Sequence, residues 1–263
     1  MGIVMHWAEM SAPAFRSLPQ DTVAILPLGA VEQHGPHLPL SVDYCIVEAV
    51  LDRALRHVAE PVSALILPTL RVTKSDEHAR YPGTLSLSAE TLLAVLRDIG
   101  ASVARAGVAR LVLFNGHGGN TALLQVASRE LRIAHDMIVV TCSWSAFADT
   151  KGLFDPETYA LDMHAGESET AAMLAARPDL VDMAAAPAAD SVLPAWRSGL
   201  EFIGVHGAAG MPSWLIDDLS ASGVVGDARA ADAERGAQLL DSAAANFARF
   251  LAEFSVFDHR RKS

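Results

Sequence analysis

Strand-like and helix-like segments alternate from residue 22 to residue 145, and this alternation is the strongest constraint on the fold of the chain. Residues 22–30 form an apolar run that ends in glycine, as buried strands often do. Apolar residues at helical spacing follow over 43–59. The pattern continues with a strand over 61–70, a helix over 89–107, a strand over 109–116, a helix over 120–135 and a strand over 137–144. It predicts right-handed βαβ units and a mostly parallel sheet.

The expected fold class is therefore α/β, with three α/β/α layers. Ser88 and Asn120 are expected to cap the helices that follow them. Beyond the alternating part, we expect a helix over 166–176, an irregular Ala-, Pro-, Gly- and Ser-rich region over 184–226, and a long helix over 227–254. There is no internal repeat and no clear linker, so residues 1–263 are assigned to a single domain.

Composition excludes several classes of function. Of the 263 residues, 51% are hydrophobic and 19% charged, which favours a packed core over disorder. The net charge of -11 argues against binding to nucleic acid or to anionic membranes. No apolar stretch reaches the roughly 20 residues that span a bilayer. The first residues do not resemble a signal peptide, and Cys45 and Cys142 fit reduced, buried thiols, so a cytoplasmic location is expected.

The first candidate site segment is EQHGPHLPLSVD, residues 32–43. Glu32 and His34 stand two residues apart, and on an extended chain such residues project to the same face. Asp43 lies near the start of the next helix. A carboxylate beside an imidazole at a strand end is a plausible beginning for a metal site. Taken alone, the segment fits equally well with loop polar residues and a helix N-cap.

The second candidate segment is NGHGGN, residues 115–120, where His117 follows a predicted strand within a glycine-rich turn. Glycine allows the backbone to approach a ligand closely. The turn also leads into a helix N-terminus, whose free N–H groups favour anions. The alternative is a tight strand-to-helix turn with an incidental histidine.

The third candidate segment is DMHAGESET, residues 162–170. If a helix begins here, His164 and Glu167 are three residues apart and share a face. Otherwise Glu167 and Glu169 are ordinary acidic residues of a first helical turn, where the helix dipole favours them.

Together, the three segments supply histidine with carboxylates or glycines at separate strand ends. Hard and borderline divalent ions prefer this mixture of nitrogen and oxygen ligands, and the lack of thiolate argues against structural zinc. The segments offer five candidate ligands, namely Glu32, His34, Asp43, His117 and Glu167. Five ligands in one place indicate two ions, zinc or manganese. Ions about 3.5–4 Å apart and bridged by a carboxylate can share a hydroxide and polarise a carbonyl group.

Four ordered stretches also resemble the creatininase (creatinine amidohydrolase) family. They are LPLGAVEQHGPHLPLSVD, KSDEHARYPGTLSLS, LVLFNGHGGN and HAGESET, between about residue 20 and about residue 175, with a weaker likeness over 223–236. The resemblance implies a single α/β/α domain that usually assembles as a hexamer.

The resemblance also implies roles for individual residues. Glu32 and His117 would hold one metal ion, His34 the other, and Asp43 would bridge the two. His164 matches the catalytic histidine of the family. Two further positions, Trp144 and Ser75, match or lie near positions that contact substrate. We add His78, which is close to the site in sequence, as a candidate substrate contact, and His37 as another residue near the site.

The chain departs from creatininase itself at two positions. Gly119 stands where that enzyme has a glutamate in an NGHYEN-like turn, and Ala160 stands where it has a second tryptophan. The loss of an aromatic wall predicts poor activity on creatinine. The EHARYPGT stretch is more similar to the broader family, which includes formamide deformylases and a peptidase of a redox-cofactor precursor peptide. We expect Glu167 to supply the metal ligand that Gly119 cannot.

The sequence therefore predicts a metal-dependent hydrolase of non-peptide carbon–nitrogen bonds in a small amide, formamide or cyclic amide, acting through a hydroxide shared by two ions. The alternatives are a peptidase of a small precursor peptide, a metal-dependent sugar isomerase, and an inactive scaffold. A serine hydrolase is excluded because the chain has no G-x-S-x-G motif, and a P-loop is also lacking.

Overall fold

A computed structural model describes residues 4–58, 61–205 and 207–260. Its centre is a sheet of five strands in the order β1-β3-β2-β4-β5, and every neighbouring pair is parallel. The strands are β1 (Val4–His6), β2 (Val23–Leu28), β3 (Ala64–Ile66), β4 (Arg110–Asn115) and β5 (Ile138–Ser143). The predicted parallel α/β fold is confirmed, and β1 is an addition to it.

Eight α-helices accompany the sheet in the part of the chain that the structure describes. They are α1 (Val42–Ala54), α2 (Ala89–Arg105), α3 (Thr121–His135), α4 (Pro156–Tyr159), α5 (Glu167–Ala176), α6 (Leu193–Gly199), α7 (Ile216–Leu219) and α8 (Ala233–Val256). None of them is both long and apolar enough to cross a bilayer.

The two faces of the sheet carry separate hydrophobic cores because side chains alternate along each strand. On β2, Val23 and Ile25 pack with α1, α5 and α8, whereas Ala24 and Leu26 pack with α2 and α3. All four side chains are buried. Burial on both faces explains why β2 is a continuous apolar run in the sequence rather than an alternating one.

The two predicted helix caps differ in the structure. Ser88 caps α2, since its side chain accepts a hydrogen bond from the Thr91 N–H at 3.2 Å. Asn120 precedes α3 but makes no side-chain cap. Its amide instead donates to Asn115 Oδ1 at 3.2 Å, which ties the two ends of the NGHGGN turn together.

The region 184–226 is more ordered than the sequence indicated, because it contains α6 and α7. Its last residues lie against the chain just before α5. The N–H of Val225 donates to the His164 carbonyl at 2.8 Å, and the N–H groups of Met163 and His164 donate back to the Val225 carbonyl. This segment therefore holds the backbone at His164 in place.

The register of the central strands determines where their connections begin. Leu28 at the end of β2 pairs with Asn115 at the end of β4, and Asn115 pairs with Ser143 at the end of β5. The segments that follow these three strands consequently start at one edge of the sheet. Ligand sites in open parallel sheets lie at this carboxyl edge.

Candidate metal centre

The carboxyl edge of the sheet collects four buried ionisable side chains from the segments that follow β2 and β4. Glu32 and His34 follow β2, His117 follows β4, and Asp43 lies in the first turn of α1. Gly116 makes this approach possible, since a Cβ atom on it would lie 2.6 Å from the Asp43 carbonyl oxygen. The glycine thus lets the turn after β4 press against α1.

The His117 ring faces two carboxylates. Its Nδ1 atom lies 3.2 Å from Glu32 Oε1 and 3.4 Å from Asp43 Oδ2. Its Nε2 atom lies 2.9 Å from the Lys74 carbonyl oxygen, which can only accept a hydrogen bond. Nε2 therefore carries the proton, and in the neutral ring the Nδ1 lone pair points between the carboxylates.

The His34 ring makes a second half of the site. Its Nδ1 atom donates to the Glu32 carbonyl oxygen at 3.1 Å, so in the neutral ring Nε2 holds the lone pair. Nε2 lies 3.2 Å from Asp43 Oδ1 and 3.9 Å from Glu169 Oε2. The two oxygens of Asp43 consequently face two different histidines.

Two atoms of this cluster have a charged neighbour but no hydrogen bond. Among the described residues, His34 Nε2 and Asp43 Oδ2 are buried side-chain atoms with no hydrogen bond. Buried polar atoms are normally satisfied, and an unpaired one requires an explanation. Divalent cations suit these atoms, because the surrounding donors are nitrogen and oxygen without thiolate. The site thus fits the expected ions.

Histidine and carboxylate shift each other's pKa in this buried cluster. Burial alone would raise the pKa of Glu32, but the rings of His117, His78 and His164 lower it well below its ordinary value. Burial would lower the pKa of His34, but Asp43 and Glu169 raise it to about 9. Glu32 is therefore held as an anion that can bind a cation.

The pKa of Glu169 moves in the opposite direction. Burial raises it to about 7, although the nearby His34 ring opposes the change. Its Oε2 atom also accepts a hydrogen bond from the Ala165 N–H at 2.6 Å. A carboxyl group poised in this way would be stabilised as an anion by a bound cation.

His164 approaches the cluster from the segment before α5. Its Nε2 atom donates to the Gln33 carbonyl oxygen at 2.8 Å, and its Nδ1 atom lies 3.8 Å from Glu32 Oε1. Burial, together with the rings of His34 and His78, keeps the pKa of His164 well below its ordinary value. The ring is consequently neutral at neutral pH, with its Nδ1 lone pair on the side of the metal centre.

The other predicted contacts are distributed around this centre. Ser75 donates to Glu32 Oε2 at 2.5 Å, which places it behind the carboxylate. The His78 ring is buried, with Nε2 3.5 Å from Glu32 Oε1. His37 is also buried, and its Nε2 lies 2.9 Å from Thr170 Oγ1. Ser75 and His78 thus both approach the Glu32 carboxylate, and their contact with substrate stays a prediction.

A cavity of about 250 Å³ opens beside the metal centre, and Trp144, Tyr159, His117 and Glu169 are among its lining residues. Trp144 thus forms part of the wall of this cavity, and its contact with substrate stays a prediction. Ala160 lines a separate groove rather than this cavity. Tyr159, the residue before Ala160, supplies an aromatic side chain to the cavity, and poor activity on creatinine stays a prediction.

The structure does not bring Glu167 into the metal centre. Its carboxylate accepts a hydrogen bond from Arg235, which also donates to the Leu153 carbonyl at 3.1 Å. Glu167 therefore ties the start of α5 to α8. Residues 167 and 169 project about 200° apart on a helix, so the two carboxylates face opposite ways. Of these two carboxylates, that of Glu169 is the one that faces His34.

Sequence reasoning also missed Glu77 and Gln33. Glu77 Oε1 lies 3.3 Å from His117 Nε2, and the Gln33 side chain contacts His78. Both residues directly adjoin residues that were singled out, in the pairs Glu77-His78 and Glu32-Gln33. Their position next to these residues was the signal in the sequence that could have identified them.

Three groups among the described residues could hold a cation: Glu32 with His34 and His164; Glu32 with Glu77 and His117; and His34 with Asp43 and Glu169.

The chain is similar in sequence to proteins of one known family. A sequence model of a family named creatininase, described as creatinine amidohydrolase, matches residues 8–251. A creatinine amidohydrolase of Pseudomonas putida is 38% identical over 195 residues, covering 68% of this chain and 72% of the relative. A mycofactocin precursor peptide peptidase of Mycobacterium ulcerans is 33% identical over 258 residues, covering 92% of this chain and 91% of the relative.

Solved structures show the same similarity. A manganese form of creatininase matches with a TM-score of 0.71 and 29% identity, over 95% of this chain and 98% of that one. A glutamate-to-glutamine variant of creatininase, of Zn–Zn type, matches with a TM-score of 0.73 and 29% identity, over 96% and 98%.

Proposed function

The chain belongs to the creatininase family of amidohydrolases, and from this premise we propose that it hydrolyses a carbon–nitrogen bond in a small amide, formamide or cyclic amide with the help of two divalent ions. Zinc and manganese are the ions expected. The solved relatives in manganese and Zn–Zn forms support this choice.

The observation that carries the proposal is the position of Asp43 between two half-sites. Asp43 Oδ2 lies 3.4 Å from His117 Nδ1, and Asp43 Oδ1 lies 3.2 Å from His34 Nε2. Glu32 completes the first half-site and Glu169 the second. One carboxylate shared between two such groups is the arrangement that dinuclear hydrolytic sites use.

A pair of bound ions would lower the pKa of water and polarise the carbonyl group of the substrate. The side chains perform the remaining tasks. Ser75 and His78 hold the Glu32 carboxylate from two sides, and Trp144 forms part of the cavity wall that would receive the substrate.

His164 is the proposed proton carrier. Its Nδ1 lone pair faces the centre, while the Gln33 carbonyl holds its Nε2 proton. The neutral ring can take a proton from the attacking water and pass it to the leaving nitrogen. A positioned histidine of this kind contributes roughly 10²–10⁴-fold to a rate.

The test compares His164→Gln with the wild type on a panel that contains creatinine, formamides and short peptides. We expect kcat to fall by about 10²–10⁴-fold on the substrate that wild type hydrolyses, with two ions per chain retained. His135→Gln is the matched control, because His135 is exposed at the end of α3. Full activity of His164→Gln would overturn the role of His164.

Cleavage of a small precursor peptide is the second candidate. It is supported by the extent of the match to the mycofactocin precursor peptide peptidase, which covers 92% of this chain, against 68% for the creatinine amidohydrolase. Hydrolysis of a short peptide, together with inactivity on creatinine and formamides, would favour this candidate over the first.

A further inference from the structure

The buried side chain of Gln33 lies between the metal centre and the backbone at Gly223. Its Oε1 atom accepts a hydrogen bond from the Gly35 N–H at 2.9 Å, and its Nε2 atom donates to the Gly223 carbonyl at 3.0 Å. A backbone N–H can only donate and a carbonyl can only accept. These two partners therefore determine the orientation of the amide.

The oriented amide determines the tautomer of His78. Gln33 Nε2 lies 2.9 Å from His78 Nδ1, and an amide nitrogen is always the donor. His78 Nδ1 must then be the acceptor, so in the neutral ring the proton is on Nε2. That atom lies 3.5 Å from Glu32 Oε1, and His78 thus presents an N–H to the carboxylate.

The backbone of Gln33 determines the tautomer of His164. The Gln33 carbonyl accepts from His164 Nε2 at 2.8 Å, which requires a proton on that nitrogen. Gln33 Nε2 also approaches the same atom at 3.2 Å, but both amide protons already serve His78 and Gly223. The lone pair of His164 is therefore on Nδ1, facing the centre.

We propose that Gln33 is a positioning residue that gives two neighbouring histidines opposite roles at the metal centre. The rings of His78 and His164 lie 4.3 Å apart between centroids, yet one presents an N–H and the other a lone pair. The Gln33 side chain determines the tautomer of His78, and the Gln33 backbone carbonyl determines the tautomer of His164. That this arrangement serves hydrolysis rests on the proposed function. The assignment of the two tautomers does not depend on it.

Solid-state nitrogen-15 NMR of the full chain, labelled at histidine and measured metal-free and zinc-loaded, tests the proposal directly. Signals are assigned by their loss in His78→Gln and His164→Gln. In the wild type we expect both rings to carry the proton on Nε2. A proton on Nδ1 of either ring in both preparations would overturn the assignment.

Two substitutions at Gln33 separate positioning from packing. Gln33→Glu replaces the donor by an acceptor, so the His78 proton should move to Nδ1 while His164 keeps its proton on Nε2. Gln33→Met keeps the volume without a donor and should leave His78 in a mixture of tautomers. Gln238→Glu, exposed on α8, is the control. An unchanged His78 signal in both Gln33 variants would refute the proposal.

Zinc titration supplies a readout that does not depend on a substrate. Gln33 orients His78, whose N–H faces the carboxylate of the ligand Glu32. Loss of such an outer contact costs about 10–100-fold in metal affinity, so Gln33→Met should weaken zinc binding by about 10-fold, and Gln238→Glu should not. Unchanged affinity in Gln33→Met would contradict the positioning role. If the wild type hydrolysed no amide but showed the expected tautomers, the proposed function would fail and the role of Gln33 would stand.

Discussion

The carboxylate of Glu77 fills the space that a side chain at position 119 would need. A Cβ atom on Gly119 would lie 2.0 Å from Glu77 Oε1 and 2.4 Å from His117 Nε2. The glycine that departs from the creatininase pattern is thus accompanied by a carboxylate from a different segment. Glu77 contacts the side of the His117 ring that faces away from Asp43.

Gly119→Ala should weaken metal binding without unfolding the chain. The new methyl group would displace Glu77 or tilt His117, and disturbing such an outer contact costs about 10–100-fold in metal affinity. Zinc titration measures the effect. Gly118→Ala is a close control, because a Cβ atom there would meet nothing within 4 Å. Equal zinc affinity of the two variants would show that Glu77 and Gly119 are not coupled.

Glu169→Gln should remove about one ion per chain. Glu169 Oε2 is the carboxylate oxygen beside His34 Nε2, and without it the second half-site keeps His34 and a shared Asp43. Two protein ligands are usually too few to hold zinc tightly. Elemental analysis of the purified variant, compared with Glu167→Gln, measures the loss. Retention of both ions would remove Glu169 from the ligand set.

Glu167→Gln should lower stability and leave the metal content unchanged. The substitution weakens a partly buried, charge-assisted contact with Arg235, and hydrogen bonds to charged groups contribute about 1.5–3 kcal/mol. Urea unfolding of the metal-free protein measures the change. Loss of an ion at wild-type stability would instead support the original assignment of Glu167 as a ligand.

Zinc binding should strengthen as the pH rises from 6.5 to 9. Burial lowers the pKa of His34, but Asp43 and Glu169 more than compensate and raise it from 6.5 to about 9. The protonated ring stabilises the metal-free fold at low pH, and this contribution is lost as the pH rises through 9. A ligand histidine must release its proton. Calorimetry in buffers of different ionisation enthalpy should detect that release, and a pH-independent affinity would contradict it.

The chain should form a homo-oligomer, and the family resemblance indicates a hexamer. The region 184–226 supports self-association, because Phe202 and Met211 are 63% and 67% exposed in the single chain. Large exposed apolar side chains of this kind mark interaction surfaces when they form a patch. Light scattering at micromolar concentration measures the mass, and a value near one chain would refute the prediction.

Much of the fold could be predicted because its signals are local. The apolar run of β2 and the cap at Ser88 are direct consequences of burial and of backbone hydrogen bonding. In contrast, β1 has only three residues, Val4–His6, which is too short for an alternating pattern to show. The short helices α6 and α7 lie in a region whose composition resembles a loop.

The site was harder to predict because it depends on orientation. A sequence shows that Glu167 and Glu169 are both near His164, but only the phase of α5 decides which of them faces His34. The direction of the Gln33 amide likewise depends on Gly223, which is distant in the chain. Contacts between remote segments of this kind leave no periodic signal.

The position of Asp43 between His34 and His117 affects how a bound ion would connect distant parts of the chain. Glu32, His34 and Asp43 belong to one continuous stretch, whereas His117 and Glu169 come from far along the sequence. An ion held by both kinds of ligand would close a long loop of polypeptide, as a disulfide does. Each metal ion would thus act as a reversible cross-link, and chelation should loosen the turn after β4 and the start of α5 before it affects the strands.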